Sequence, residues 1–354
     1  MLIIYGGTHN SVNRSAEKMS LTILYPDAQF AGDPDVEREV FGMDTVLHIF
    51  RARHVGEIPA ELWCRCEVIL CFDIELDAKI IANAARCRQI VRAGVGFDNI
   101  DIAAAAARSI PVCNTPDYGT TDVADHAIGM MLALTRGIVA YNDVLRREGA
   151  AGWDFMRAPT VRRITGCVFG VIGLGRIGTA AALRAKALGM NVIFFDPYRP
   201  SGTELGLGVR RVDQLEALLA EADVLSIHAP LTAETDRMID ATTLSIMRPG
   251  SILINTSRGA IVNTAALLDA LRDGRIAGAA LDVLPEEPMA IDDPLISLWR
   301  RGEPWLTNRV ILSPHAAFFS PSSLVDLRRK SAQVALDYLQ HGRLRNCING
   351  VSGR

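Results

Sequence analysis

The junction in which Val168-Phe169-Gly170-Val171-Ile172 runs into Gly173-Leu174-Gly175-Arg176-Ile177-Gly178 constrains the fold more than any other part of this chain. An apolar strand, a Gly-x-Gly-x-x-Gly turn and a helix through Ala187 form one unit, and its glycines have separate jobs. They permit a tight turn, close approach of backbone to a pyrophosphate, and close helix–strand packing. The helix start then presents unpaired N–H groups and the positive end of its dipole to phosphates. A second strand, Asn191–Phe195, ends in Asp196, eighteen residues beyond Gly178. A carboxylate there accepts hydrogen bonds from ribose hydroxyls and disfavours a 2′-phosphate, which predicts NAD over NADP. Arg199 keeps the second open, since a guanidinium there would meet such a phosphate.

Around this unit, strands are predicted over 21–25, 46–50, 68–72, 89–92, 224–228, 251–255, 277–281 and 310–312. Helices are predicted over 78–85, 102–108, 177–188, 212–220, 240–247, 264–273 and 323–340. The stretch 123–147 has no proline and two glycines and reads as one long helix. Such alternation implies parallel sheets covered by helices on both faces. The 354 residues suffice for two domains. The turn signal Pro116-Asp117-Tyr118-Gly119 and Ser320-Pro321 place boundaries that give 19–117 plus 322–354 as one domain and 118–321 as a second, inserted one. Met19 stands directly before the first strand, so residues 1–18 read as an upstream extension.

Composition narrows the function. With 37 basic and 40 acidic residues the net charge is −3, and no block of like charge suggests a nucleic-acid partner. No apolar run reaches the length of a membrane helix. Seven cysteines without a Cys-x-x-Cys pair read as reduced, mostly buried thiols of a cytoplasmic protein rather than a metal site.

Further motifs carry a resemblance. They are Arg92-Ala93-Gly94-Val95-Gly96-Phe97-Asp98-Asn99-Ile100-Asp101, His228-Ala229-Pro230-Leu231-Thr232-Ala233-Glu234-Thr235, Asn255-Thr256-Ser257-Arg258-Gly259, Ala280-Leu281-Asp282-Val283 with Glu287-Pro288, and Pro314-His315-Ala316-Ala317. Together with the glycine turn these resemble the D-isomer-specific 2-hydroxyacid dehydrogenases from residue 20 to the end. Arg184-Ala185-Lys186-Ala187, Asp196-Pro197-Tyr198 and Asn346-Cys347-Ile348-Asn349 bring the chain nearest to the branch of the C-terminal-binding proteins, which is related to phosphoglycerate dehydrogenases. The resemblance implies an α/β architecture of two Rossmann-like or flavodoxin-like domains, with the NAD-binding domain inserted into the substrate-binding domain. It also implies a homodimer, with the long helix and the loop around Trp153 reaching across.

It implies a catalytic set of Arg258, Glu287 and His315. Reducing a 2-oxo acid needs a proton for the carbonyl oxygen, which histidine can deliver near neutral pH. A carboxylate against the ring favours and orients the imidazolium, and arginine offers a planar fork to the substrate carboxylate. Taken singly, Arg258 would pass for a turn residue, Glu287 for a solvated loop charge and His315 for a satisfied loop histidine. The implied cofactor contacts are Gly173, Leu174, Gly175, Arg176, Ile177, Gly178, Asp196, His228, Ala229, Pro230, Thr235, Thr256, Ser257, Arg258, Asp282 (toward the nicotinamide carboxamide) and His315. The implied substrate contacts are Arg92, Gly94, Val95, Gly96, Arg258 and Phe318. His126 reads as structural.

Val95 stands where the C-terminal-binding proteins carry serine, and Phe318 where they carry tryptophan, so the pocket differs in shape. The stretch 289–308, holding Trp299 and Trp305, reads either as a lid or as a surface excursion. Glu287 speaks against a formate dehydrogenase, whose histidine pairs with glutamine. The length is expected to leave no room for the regulatory domain of long phosphoglycerate dehydrogenases. Two functions remain: a 2-oxo acid reductase, or an NAD(H)-sensing oligomeric corepressor of the C-terminal-binding-protein kind.

Overall fold

A computed structural model describes residues 21–352, so the suggested extension over 1–18 lies outside the described residues. The chain divides into two compact units.

The smaller holds the residues up to Val91, Asp101–Cys113 and those from Ala332 onward. Along it alternate β1 (Thr22–Tyr25), α1 (Asp35–Phe41), β2 (Val46–Ile49), α2 (Ala60–Arg65), β3 (Val68–Cys71), α3 (Ala78–Asn83), β4 (Gln89–Arg92), α4 (Ile102–Ala107) and β5 (Val112–Asn114). The strand order is β2-β1-β3-β4-β5, a flavodoxin-like arrangement, with β1 parallel to both neighbours. β3 and β4 are buried throughout, as strands covered on both faces must be. Asp77 and Asp101 start α3 and α4 by accepting from the amides of Ile80 and Ala104, each at 2.8 Å. β5 is an edge strand, and the C-terminal segment lies along it. Cys347 bridges antiparallel to Cys113, and the Ile348 amide donates to Val112 O at 2.9 Å. The Asn349 side chain accepts from Val112 N at 3.1 Å and donates to Ile110 O at 2.8 Å.

The larger unit holds Arg92–Ile100 and Asn114–Ser331. Its elements are α5 (Thr120–Thr135), α6 (Ile138–Glu148), β6 (Val168–Ile172), α7 (Arg176–Ala187), β7 (Asn191–Phe195), α8 (Thr203–Leu207), β8 (Arg210–Arg211), α9 (Leu215–Glu221), β9 (Val224–Ile227), α10 (Ala241–Ile246), β10 (Ser251–Asn255), α11 (Thr264–Arg272), β11 (Ile276–Leu281), α12 (Pro294–Arg301) and β12 (Val310–Leu312), and α13 (Pro321–His341) begins in it. Its seven strands run β12-β11-β10-β9-β6-β7-β8, all neighbours parallel. This is the doubly wound order, whose switch point lies between β6 and β9. One face of the sheet buries Leu218, Leu225, Leu253, Leu267, Leu271 and Leu295. The other buries Met131, Leu134, Phe169, Phe194 and Ile254.

Three expectations change. The long helix over 123–147 is two helices, α5 and α6, bent by 55° at Arg136 and Gly137. Gly137 has φ +66, and a Cβ there would meet Ala158 Cβ at 2.6 Å and Val161 at 2.8 Å. The glycine both ends α5 in a left-handed turn and lets the 158–161 backbone approach. The stretch 289–308 is neither a lid nor a mere excursion. It contains α12, which buries Leu295 and Ile296, while Leu306 is also in the core and Trp299 Nε1 donates to Val310 O at 3.2 Å. Finally, β5 and β8, short strands of three and two residues, have no expected counterpart.

No single described helix is long and apolar enough to cross a membrane. Among the described residues no group of histidines, cysteines and carboxylates could hold a metal ion.

Candidate active site

The site is built in the larger unit, from the ends of its parallel strands. At β6 the chain turns through Gly173, whose φ is +85 and whose Cβ would sit 2.8 Å from Ala229 N. A Cβ on Gly178 would lie 2.0 Å from Gly173 O, so α7 approaches the turn only because that position is bare. Gly175, the N-cap of α7, is different. A Cβ there meets only Arg199 Nη2, at 3.6 Å, so nothing in the protein requires glycine at this point. An open backbone approach at a helix start suits a pyrophosphate.

Asp196, at the tip of β7, braces the same turn. It accepts from Leu174 N at 2.8 Å and Tyr198 N at 3.0 Å, and Arg199 Nε lies 3.6 Å away. Leu174 is buried, Ile177 half-buried and Arg176 exposed. At the end of β9, His228 N donates to Ile172 O at 2.8 Å, tying the switch point together. Burial pushes the His228 imidazole down to about 4, so it is neutral at neutral pH, and its Nε2 meets Ser226 Oγ at 2.9 Å. Thr235 Oγ1 donates to Pro230 O at 2.7 Å, and Ser257 Oγ hydrogen-bonds Ala229 O. The Thr256 hydroxyl is buried without a hydrogen-bond partner. A buried orphan of this kind marks where a bound polar group would be satisfied, so Gly175 and Thr256 both suit a dinucleotide.

Arg258 follows β10. Asn255 shapes its loop by donating to Arg258 O at 2.9 Å and accepting from Ser257 N at 3.0 Å. The guanidinium donates through Nε to Asp98 Oδ1 at 2.9 Å and through Nη1 to Ser257 O at 2.9 Å. It lies so close to Gly96 that a Cβ there would be 1.6 Å from Nη2. The same holds one step back, where Arg92 Nη1 occupies the place a Gly94 Cβ would need. Thus two guanidinium groups rest on the Gly94-Val95-Gly96 turn, which Asn114 holds by donating to Val95 O at 2.7 Å. Burial raises the Asp98 carboxyl, but the charge and hydrogen bond of Arg258 outweigh it and hold the group below the usual range.

The remaining pair comes from loops after β11 and β12. His315 Nδ1 lies 2.6 Å from Glu287 Oε2, and Glu287 Oε1 accepts from Leu284 N at 2.9 Å. Burial pushes the Glu287 carboxyl up, and the hydrogen bond and charge of His315, with help from Arg258, bring it below its ordinary 4.5. An ionised carboxylate only accepts, so Nδ1 carries a proton and Nε2 is the nitrogen that Glu287 does not engage. Phe318 stacks edge-on to both His315, at 6.3 Å between ring centroids, and Tyr118, at 6.1 Å. Asp282 is buried, with both oxygens engaged by donors of the 313–317 loop.

The structure therefore brings Arg258, Glu287 and His315 together, with Arg92, Gly94, Val95 and Gly96 beneath Arg258 and Phe318 beside His315. Asp196 stands apart, at the glycine turn. Asp98 and Tyr118 were quoted in motifs without a role. Asp98 is 160 residues from Arg258, and only an unexplained carboxylate after a glycine turn could have pointed to it.

Residues 128–317 match the family described as D-isomer specific 2-hydroxyacid dehydrogenase, NAD binding domain. A glyoxylate reductase of Korarchaeum cryptofilum is 39% identical over 267 residues, 75% of each chain. Among solved structures, D-lactate dehydrogenase from Aquifex aeolicus, complexed with NAD and lactic acid, has a TM-score of 0.80 at 29% identity, covering 90% of this chain and 95% of that one. An NADPH-dependent glyoxylate/hydroxypyruvate reductase from Sinorhizobium meliloti has a TM-score of 0.81 at 28% identity, covering 94% and 98%.

Proposed function

Since this chain belongs to the D-isomer-specific 2-hydroxyacid dehydrogenase family, we propose that it interconverts a 2-oxo acid and a D-2-hydroxy acid, using Arg258, Glu287 and His315. It is an NAD-dependent oxidoreductase acting on a CH–OH group. The observation that carries the assignment of roles is the 2.6 Å Glu287–His315 hydrogen bond with the Arg258 charge acting on the same carboxylate.

NAD(H), when bound, supplies or accepts the hydride. Gly173, Gly175, Gly178 and Asp196 would hold its adenosine and pyrophosphate groups, and Thr235, Thr256 and Ser257 would supply further polar contacts to it. Arg258 clamps the substrate carboxylate as a planar fork, and Asp98 fixes the plane of that fork. The Val95 and Gly96 N–H groups and the Arg92 guanidinium receive the same end of the substrate, while the Gly94 N–H is held by Arg92 O. Glu287 keeps His315 oriented through Nδ1 and stabilises its charged form, so that Nε2 gives a proton to the carbonyl oxygen in reduction and takes it back in oxidation. Phe318 and Val95 shape the apolar side and so select the substrate's tail. Within this reading 118–321 is the dinucleotide-binding domain, and 19–117 with 322–354 the substrate-binding one.

The working unit is a cytoplasmic homodimer. Trp153, Phe155 and Met156 are at least three-quarters exposed beside exposed Ile138 and Val139 of α6, an apolar patch that a second copy would cover. Light scattering on the wild type and on Trp153→Glu should give a dimer and a weakened dimer, and a wild-type monomer would refute this part.

The test of function is a spectrophotometric panel, with NADH and NADPH each offered against glyoxylate, hydroxypyruvate, pyruvate, phenylpyruvate and a branched 2-oxo acid. Rapid oxidation of NADH in preference to NADPH by one of these is expected. Tight NADH binding without turnover on any of them would refute the reductase reading and favour the sensing one.

A further inference from the structure

His315 occupies a backbone conformation with φ +51, which a non-glycine residue adopts only when its surroundings impose it. The loop bonds that impose it converge on Asp282. His315 N donates to the Asp282 carbonyl at 2.8 Å. The next two amides, of Ala316 and Ala317, donate to the Asp282 carboxylate oxygens at 2.9 Å each. Ser313 Oγ lies 2.5 Å from Asp282 Oδ1. Because the carboxylate cannot donate, the serine hydroxyl gives its proton to it, and the serine oxygen is left to accept. The side chain in position to donate is His126 of α5, whose Nε2 lies 3.0 Å from Ser313 Oγ and 3.6 Å from Asp282 Oδ1.

We propose that His126 is a positioning residue for His315. Its Nε2–H directs the Ser313 hydroxyl onto Asp282, and Asp282 in turn holds the loop that presents the proton-transferring ring. The direction of donation also assigns His126 the Nε2–H form. The chain His126, Ser313, Asp282 and the Ala316 and Ala317 amides links helix α5 to the proton-transfer loop without touching substrate. Such a chain acts as a unit, so removing any polar link loosens the rest. This inference rests on the reading of His315 as the acid/base, but its test does not depend on turnover alone.

Five proteins decide it: wild type, His126→Ala, His126→Gln, Ser313→Ala and the His126→Ala/Ser313→Ala double variant, which closes the cycle. Amide hydrogen exchange over the peptide spanning 313–319 should quicken about tenfold in His126→Ala and in Ser313→Ala, and no further in the double variant. His126→Gln, whose amide still donates at similar reach, should exchange nearly as the wild type. With the 2-oxo acid found in the panel, kcat should fall about tenfold in His126→Ala and recover in His126→Gln, while the KM for NADH stays constant. Unchanged exchange in His126→Ala, additive effects in the double variant, or equal loss in Ala and Gln would each overturn the proposal. A wild type that turns over nothing would sink the functional reading, and the exchange data would still decide this one.

Discussion

The glycine turn after β6 and the loops after β11 and β12 lie at the ends of strands of one sheet, yet they are made of different material. The first is backbone: Gly173 and Gly178 are required by contacts of 2.8 and 2.0 Å that a Cβ would make, and its one carboxylate, Asp196, hydrogen-bonds only to main-chain amides. The second, together with the Arg258 loop after β10, is side chain on side chain, with Glu287 on His315, Asp98 on Arg258 and His126 on Ser313, each pair separated by 28 residues or more. A site made from backbone tolerates no bulk and has little to titrate. A site made from side chains tolerates bulk better and depends on charge.

That contrast can be broken at either end. The largest effect belongs to His315→Ala, which should lower kcat by about 10²- to 10⁴-fold while NADH binding, followed by nicotinamide fluorescence, stays intact. Equal losses of both would erase the distinction. Gly178→Ala should do the reverse, weakening NADH by about 100-fold, near 2.8 kcal/mol, with melting temperature falling as well. Gly175→Ala sharpens the point, since its Cβ has room in the protein. It should keep the wild-type melting temperature and lose about tenfold in NADH affinity, and unaltered affinity would remove the pyrophosphate from that spot.

Smaller effects are tied to pH. Glu287 sits below its ordinary 4.5 through His315, so its contribution is complete above 4.5 and is lost only as pH falls through the lowered value. In Glu287→Gln the anion that favours imidazolium is gone, and the alkaline limb of kcat/KM for reduction should move to lower pH. An unmoved limb would separate Glu287 from the proton transfer. His228, held neutral down to about 4, has the same sense over a higher window. Between the ordinary 6.5 and 4 the unfolded chain binds the extra proton, so stability falls as pH falls, by at most about 1.4 kcal/mol per unit. Denaturant melts of His228→Asn across that window should show a flatter slope, and an identical slope would mean that the ring is not buried as described.

The same contrast explains what could be read in advance. Strands β6, β7, β10 and β12 match their expected bounds because apolar runs between turn signals leave little choice. The glycine turn was legible because its strand, glycine spacing and helix lie in one short stretch of chain. Arg258, Glu287 and His315 were legible only through a family pattern, since nothing near Glu287 in the chain announces a histidine 28 residues on. The pairing of Asp98 with Arg258 was missed for that reason. The break at Gly137 was missed because a glycine inside a helix is usually tolerated, as Gly129 is, and only the approach of Ala158 and Val161 makes the second one a corner.

The side chain of Asn349 completes a different kind of surface. By taking Val112 N and giving to Ile110 O it imitates, with one amide, the pairing another strand would make along β5. A bare strand edge recruits strands from other molecules into continuous ribbons. The last few residues of the described chain thus close the β5 edge, and shortening the protein by that segment should leave the Val112 amide and the Ile110 carbonyl without their partners.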